Sequence, residues 1–218
     1  MMKSDKQLRD DVMDELEWEP AVDAGDIGVE VKDGVVTLFG HLSSFAEKVA
    51  AERAVQRVSG VKGLAVELDV RLPTQEARSD TELAHAAKSV LEMDTFVPKD
   101  AIDIVVEDGR VKLSGLVTAE FQRRAAERDV RNLRGVKDVI NNVTVRPIVL
   151  SHDVKSRIES ALQRRAHAET KAITVSVEGD EITLTGTVPT WQERNAIVHA
   201  AWNAPGVGRV VNHIAIRT

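Results

Sequence analysis

Val35-Val36-Thr37-Leu38-Phe39-Gly40 recurs as Arg110-Val111-Lys112-Leu113-Ser114-Gly115 and again as Glu181-Ile182-Thr183-Leu184-Thr185-Gly186. The closing glycines Gly40, Gly115 and Gly186 stand 75 and then 71 residues apart. In each copy apolar residues stand two apart, Val36/Leu38, Val111/Leu113 and Ile182/Leu184, which is the period of a strand with one buried face. Six residues before each glycine lies a turn, Asp33-Gly34, Asp108-Gly109 or Gly179-Asp180. Twenty residues after it a second glycine opens a Gly-Val pair, Gly60-Val61, Gly135-Val136 or Gly206-Val207. A fixed period on this scale marks one structural unit repeated along the chain, so the 218 residues read as three modules.

Each module opens on a helix. Ser4 with Gln7 and Ser79 with Glu82 have capping-box spacing, in which each side chain satisfies the other's orphan backbone N–H. Ser151 starts the third helix with Val154 at the partner position, so half of the box remains there. The stripes Leu8/Val12/Leu16, Leu83/Ala87/Val90/Leu91 and Val154/Ile158/Ala161/Leu162 repeat at helical spacing with charged residues opposite. Alternating strands follow through Ile27/Val29/Val31, Ile102/Ile104/Val106 and Ile173/Val175/Val177. The Gly/Asp turns and the quoted segments complete a hairpin. An alanine-rich second helix fills the next gap, and Gly60, Gly135 and Gly206 are expected at its C′ position, where glycine takes the left-handed conformation at least cost. A last strand runs through Leu64–Val70, Val139–Val145 and Val210–Ile216.

The fold class is therefore α+β: three tandem αββαβ modules over residues 4–72, 79–146 and 151–218, each a small mixed three-stranded sheet with two helices on one face. The polar stretch Pro73–Arg78 reads as a loose joint and the apolar Pro147-Ile148-Val149-Leu150 as a tight one. Modules two and three are accordingly expected to dock, with module one more mobile.

Composition excludes several classes. With no cysteine there is no disulfide, thiolate metal site or thiol nucleophile. No apolar run reaches the roughly 18 residues of a membrane span. The charged start Met1-Met2-Lys3-Ser4-Asp5-Lys6-Gln7 lacks a secretory signal's apolar stretch, so the sequence reads as cytoplasmic, or periplasmic only if an export segment has been removed. Residues 1–73 carry 15 acids and 9 bases, residues 74–150 carry 13 and 12, and residues 151–218 carry 7 and 8. An acidic first module argues against nucleic acid, which needs a basic surface. The six histidines form no pair at helical ligand spacing, and no HExxH, GxSxG or P-loop is present. The chain is not expected to be an enzyme.

The quoted strand segments, each followed by an alanine-rich helix, resemble the BON family of bacterial osmotic-shock and nodulation proteins. The closing motifs Gly135-Val136-Lys137-Asp138-Val139-Ile140-Asn141 and Gly206-Val207-Gly208-Arg209-Val210-Val211-Asn212 carry the same resemblance. Module one departs from it with Val66 in place of the asparagine. The resemblance implies a non-catalytic bacterial stress protein. It further implies association with anionic phospholipid, with potassium, or with other proteins. Self-assembly by stacking of modules is a further reading. No cofactor other than a potassium ion is implied, and no metal-ligand set is carried over.

Among candidate sites, Arg124, Arg128 and Arg131 fall at i, i+4 and i+7 on the second helix of module two. Such guanidinium forks suit lipid phosphate, although Glu120 and Glu127 share that face and can pair with Arg124 and Arg131. Phe45, Phe121 and Trp191 recur near the start of the second helix and read as packing plugs or, alternatively, interfacial anchors. Phe39 is expected to point away from the core, and Trp18 and Trp202 to sit at core edges. Asp100, Asp103, Glu107 and Asp108 could serve a hard cation but match no known loop spacing. Asn141 and Asn212 read as residues bonding local backbone. The glycines Gly40, Gly60, Gly115, Gly135, Gly186 and Gly206 are structural.

Overall fold

The computed structural model describes residues 3–73, 78–146, 173–204 and 207–216. The expected first helix of module three, the joint at 147–150 and Gly206 lie outside the described residues. In module one, α1 (Asp5–Trp18), a single 3-10 turn (Ala24–Asp26), β1 (Ile27–Lys32), β2 (Val35–Leu42), α2 (Phe45–Arg57) and β3 (Gly63–Val70) follow in order. Module two repeats this as α3 (Asp80–Met93), β4 (Ile102–Glu107), β5 (Arg110–Val117), α4 (Glu120–Arg131) and β6 (Asp138–Val145). Module three contributes β7 (Ile173–Glu178), β8 (Glu181–Val188), α5 (Trp191–Trp202) and β9 (Arg209–Ile216).

Each sheet has three strands with the quoted segment in the centre, antiparallel to the strand before it and parallel to the strand after it. The parallel step requires a crossover, which the second helix supplies. In module one the inward stripe of α1 (Leu8, Val12, Leu16) meets Val36 and Leu38 of β2 and Ala51, Ala54 and Val55 of α2, all buried. Module two repeats this with Leu83, Ala87, Val111, Leu113, Ala125, Ala126 and Val130. Full burial of each leucine or valine is worth about 1.5–3 kcal/mol. Alanines on the second helix are what let it approach the sheet closely. Phe39 is 46% exposed on the outer face, as its place in the alternation requires.

Both capping boxes form at Ser4/Gln7 and Ser79/Glu82. A further local device ties helix to hairpin. The Asp5 carboxylate accepts the N–H groups of Asp33 and Gly34 at 2.9 and 3.0 Å. Asp80 does the same for Asp108 and Gly109 at 2.8 and 2.9 Å. At Gly115 φ is +135°, and an added Cβ would stand within the radius of the Ala101 carbonyl oxygen. Gly40 repeats this against the carbonyl of Asp26.

The second set of glycines is not at C′. The C-cap of α2 is Val58 and that of α4 is Asn132, so Gly60 and Gly135 lie two and three residues beyond the cap. The chain first leaves the helix to bury Val58 and then reverses at Gly60, with φ +103°, to bury Val61. Gly135, at φ +98°, reverses the chain before Val136 in the same way.

Candidate functional site

The second helices α2, α4 and α5, which share a register, meet at the junctions between modules. Trp191 at the start of α5 donates its indole N–H to the Val61 carbonyl of module one at 3.0 Å. Four residues on, the Asn195 amide donates to Gln56 Oε1 of α2 at 3.0 Å. Phe45, which begins α2, packs on the buried core of module two. Beside that contact Glu52 of α2 comes under the charge of Asp138, while Arg131 of α4 feels Arg53. Arg123 of α4 lies over the Trp202 ring of α5 at 5.9 Å, and Arg124 Nη1 meets His199 Nδ1. The contacts run in one sense, from module one to two, two to three and three to one. At the two-to-three and three-to-one junctions the leading half of one helix faces the trailing half of the next. Module one is thus docked on both neighbours, contrary to the expectation that it is the mobile one.

Counting from the repeat glycines, Phe45, Glu120 and Trp191 are equivalent positions, and Phe121 is one residue out of register. Phe45 and Trp191 act as inter-module plugs. Phe121 instead remains 49% exposed and meets Phe96 edge-on at 5.8 Å. In the plug position of module two, Glu120 is buried and paired with Arg123 at 2.7 Å and Arg124 at 3.0 Å. The junction from module two to three is therefore polar where the other two are aromatic. Trp202 packs at the edge of the third core as expected, whereas Trp18 is 81% exposed and belongs to no core.

The three candidate arginines do not converge. Arg124 is held by Glu120 and turned toward His199. Arg128 bridges Asp94 at 2.8 Å and Asp129 at 3.0 Å. Arg131 has no carboxylate bonded to it among the described residues. Burial first, and the nearby Arg53 guanidinium second, hold its pKa below the usual arginine range. Glu127, which i, i+4 spacing offers to Arg131, instead accepts from Asn141 Nδ2 at 2.9 Å. Asn141 also donates to the Arg123 carbonyl at 3.2 Å and accepts from Val143 N–H at 3.1 Å. Asn212 accepts from Ile214 N–H at 3.0 Å. Both asparagines bond local backbone as expected, and Asn141 additionally fastens α4 to β6.

Asp129 takes the position that Ala54 and Ala200 occupy in the other modules, where both are buried. Burial, and then the neighbouring Asp94, raise the Asp129 carboxyl above the ordinary aspartate range. Asp94 is lowered by the Phe96 N–H and by Asp129. A group whose folded pKa is raised binds a proton on folding, so its cost is absent below the unfolded pKa near 4 and complete above the folded pKa. Asp129→Ala is therefore expected to stabilise module two by about 1 kcal/mol at neutral pH. The gain should vanish as the pH falls below about 4, and thermal melts of the two proteins across this range check it.

Among the described residues no cluster of three or more His, Asp or Glu side chains could hold a metal ion, and no helix is long and apolar enough to cross a membrane. Asp103 and Glu107 lie on β4 and Asp108 in the hairpin turn, where its N–H is held by Asp80.

The BON domain matches three times, over residues 4–71, 79–147 and 151–218. The chain belongs to the BON-domain family. Osmotically-inducible protein Y of Escherichia coli (strain K12) is 32% identical over 122 residues, which are 54% of this chain and 61% of that protein. The match thus spans less than two thirds of that BON relative's own length. An uncharacterized protein in the gshII 5' region of Anaplasma centrale is 25% identical over 126 residues, 54% of this chain and 82% of its own. Among solved structures, CdsD, a structural protein of the type III secretion system of Chlamydia trachomatis, aligns over 95% of this chain and 91% of its own at 17% identity, with a TM-score of 0.26. The PrgH periplasmic domain aligns over 88% and 95% at 12% identity, with a TM-score of 0.22. In BON terms, the docking residues of this chain sit on the second helix of each domain, outside the strand motifs that carry the family pattern.

Proposed function

We propose that this BON protein is a non-catalytic, osmotic-stress-associated binding protein whose ligand is the headgroup of an anionic phospholipid. The stress association is supported by its likeness to osmotically-inducible protein Y. The observation that carries the ligand reading is the partly buried Arg131, whose charge is opposed by Arg53 of another BON domain and eased at a distance by Glu127, with no carboxylate bonded to either Arg131 or Arg53 among the described residues. Two like charges oppose the docking of their domains. A phosphate accepting from both forks would relieve that repulsion with charge-assisted hydrogen bonds, so binding and docking would support each other. Arg124 and Arg128 already have carboxylate partners and are not part of this site.

Flotation with phosphatidylglycerol vesicles against phosphatidylcholine vesicles tests the reading. The native chain is expected to float only with the anionic lipid, and Arg53→Gln combined with Arg131→Gln to weaken binding about tenfold, as the loss of charge-assisted bonds requires. Undiminished flotation of the double variant sinks the site. A melting temperature raised by potassium but not by sodium at equal ionic strength would point to the ion instead, since a ligand of the folded state stabilises by mass action.

A further inference from the structure

β1 is an outer strand of the module-one sheet, with β2 on one side and no strand on the other among the described residues. Asp33 and Gly34 both have positive φ, 52° and 81°, as a two-residue type I′ hairpin turn requires. Such a turn closes on a hydrogen-bonded pair, here Lys32 with Val35. Bonded and non-bonded pairs then alternate along the hairpin. The backbone groups of Gly28, Glu30 and Lys32 therefore serve β2, and those of Val29 and Val31 point outward. Nor does α1 close this edge. A cleft of about 220 Å³ runs between the two, lined by Asp5, Lys6 and Arg9 of the helix and by Val29, Glu30 and Val31 of the strand.

We propose that β1 pairs with β1 of a second copy of the chain, antiparallel about a twofold axis at Val31, to give a six-stranded sheet across a closed dimer. Unpaired backbone groups on a sheet edge are a template for another strand, and charge with register decides which strand. With Val31 opposite Val31 of the second copy, the outward N–H and C=O groups of the two valines exchange both bonds. Glu30 then falls opposite Lys32 twice. These are non-hydrogen-bonded positions, where paired strands approach most closely, at about 4.5 Å, and opposite charges attract across them. Both side chains are exposed and have no ion pair among the described residues. Their partners on β2 are the uncharged Thr37 and Val35. The ladder ends at Asp33, whose N–H is already taken by Asp5 at 2.9 Å. Sliding one strand by two residues would set Glu30 against Glu30, so the charges select one register.

The other five sheet edges lack this self-complementarity. β3 and β4 carry only acids, Glu67 with Asp69 and Asp103 with Glu107, so a second copy would be repelled. β6 and β7 carry acids without a base, and β9 carries no acid. β1 is the one edge strand with both signs on its outer face.

Sedimentation velocity of the full chain from micromolar to millimolar concentration tests the pairing. The average mass should rise toward twice that of the chain and no further, since an isologous contact closes on itself. Glu30→Lys and Lys32→Glu each set like charges opposite one another at both sites, and each should weaken the dimer about tenfold. An equimolar mixture of the two should dimerise as the native chain does, because every lysine again faces a glutamate. The chain carrying both changes should do the same. Amide exchange locates the contact. The Val29 and Val31 amides should slow as concentration rises, while those of Ile104 and Val106, their equivalents on β4, should not. The proposal is overturned if the native chain stays monomeric throughout or assembles beyond a dimer, or if either single variant dimerises like the native chain. It is equally overturned if the mixture or the double variant fails to recover, or if the Val29 and Val31 amides keep their rate.

Discussion

Gly115→Ala is expected to remove a large share, roughly half, of the stability of module two. The substitution demands a side chain at φ +135° and drives its Cβ into the carbonyl oxygen of Ala101, a backbone atom that cannot swing aside. Relief requires the antiparallel pairing of Ile102 with residue 115 to open, and with it the N–H of Leu116 loses its bond to the same carbonyl. Strain of this kind costs about 3 kcal/mol or more, while a unit of this size holds only about 0.1 kcal/mol per residue in total. Amide exchange should quicken throughout β4, β5 and β6 while β1–β3 keep their protection. Gly28→Ala makes an instructive contrast, because there the obstruction is the Phe39 ring, an exposed side chain. It should cost less.

Trp191→Ala is expected to release module three from module one without unfolding either. The indole supplies both the hydrogen bond to the Val61 carbonyl and the face on which Arg194 stacks at 4.3 Å. Truncation leaves Asn195–Gln56 as the one side-chain hydrogen bond described between α5 and α2. Loss of a central aromatic anchor lowers such docking about thirtyfold. The cores around Leu38 and Leu184 do not involve Trp191, so the melting of each module should move little. Because the indole bonds the Val61 carbonyl while the Lys62 N–H donates to Gly34 within module one, amide protection in module one should hold while small-angle scattering shows the chain expanding.

What could be read from the sequence follows from how local its physical cause is. The strands and hairpins rest on period-two alternation and two-residue turns, and the opening helices on caps three residues apart, so these were legible. The end of α2 was misplaced because glycine suggested C′, while burial of Val58 pulls the chain out of the helix earlier. The inter-module plugs were only half legible. Phe45 and Trp191 were visible as recurrent aromatics, but their seats lie on other modules, 130 residues away for Trp191 and Val61. No local period encodes such a distance. A stricter register would have separated Phe121 from that set, placed Glu120 in it, and singled out Asp129 among alanines. The arginine trio shows the limit of face arguments. Spacing places the three stems on one side of α4, but each long side chain is then directed by a different neighbour: Glu120, Asp94 with Asp129, and Arg53.

The central claim is that the three BON domains dock through their second helices into one body. The chain has no cysteine, so Gln56→Cys with Asn195→Cys gives a single pair of thiols at positions whose native side chains are 3.0 Å apart. Treated with a short bismaleimide at high dilution, this variant should link within the chain almost completely, and adding Trp191→Ala should cut the yield sharply. A yield no higher than that of a thiol pair on the outer sheet faces, at Thr37 and Thr183, would contradict the docked arrangement.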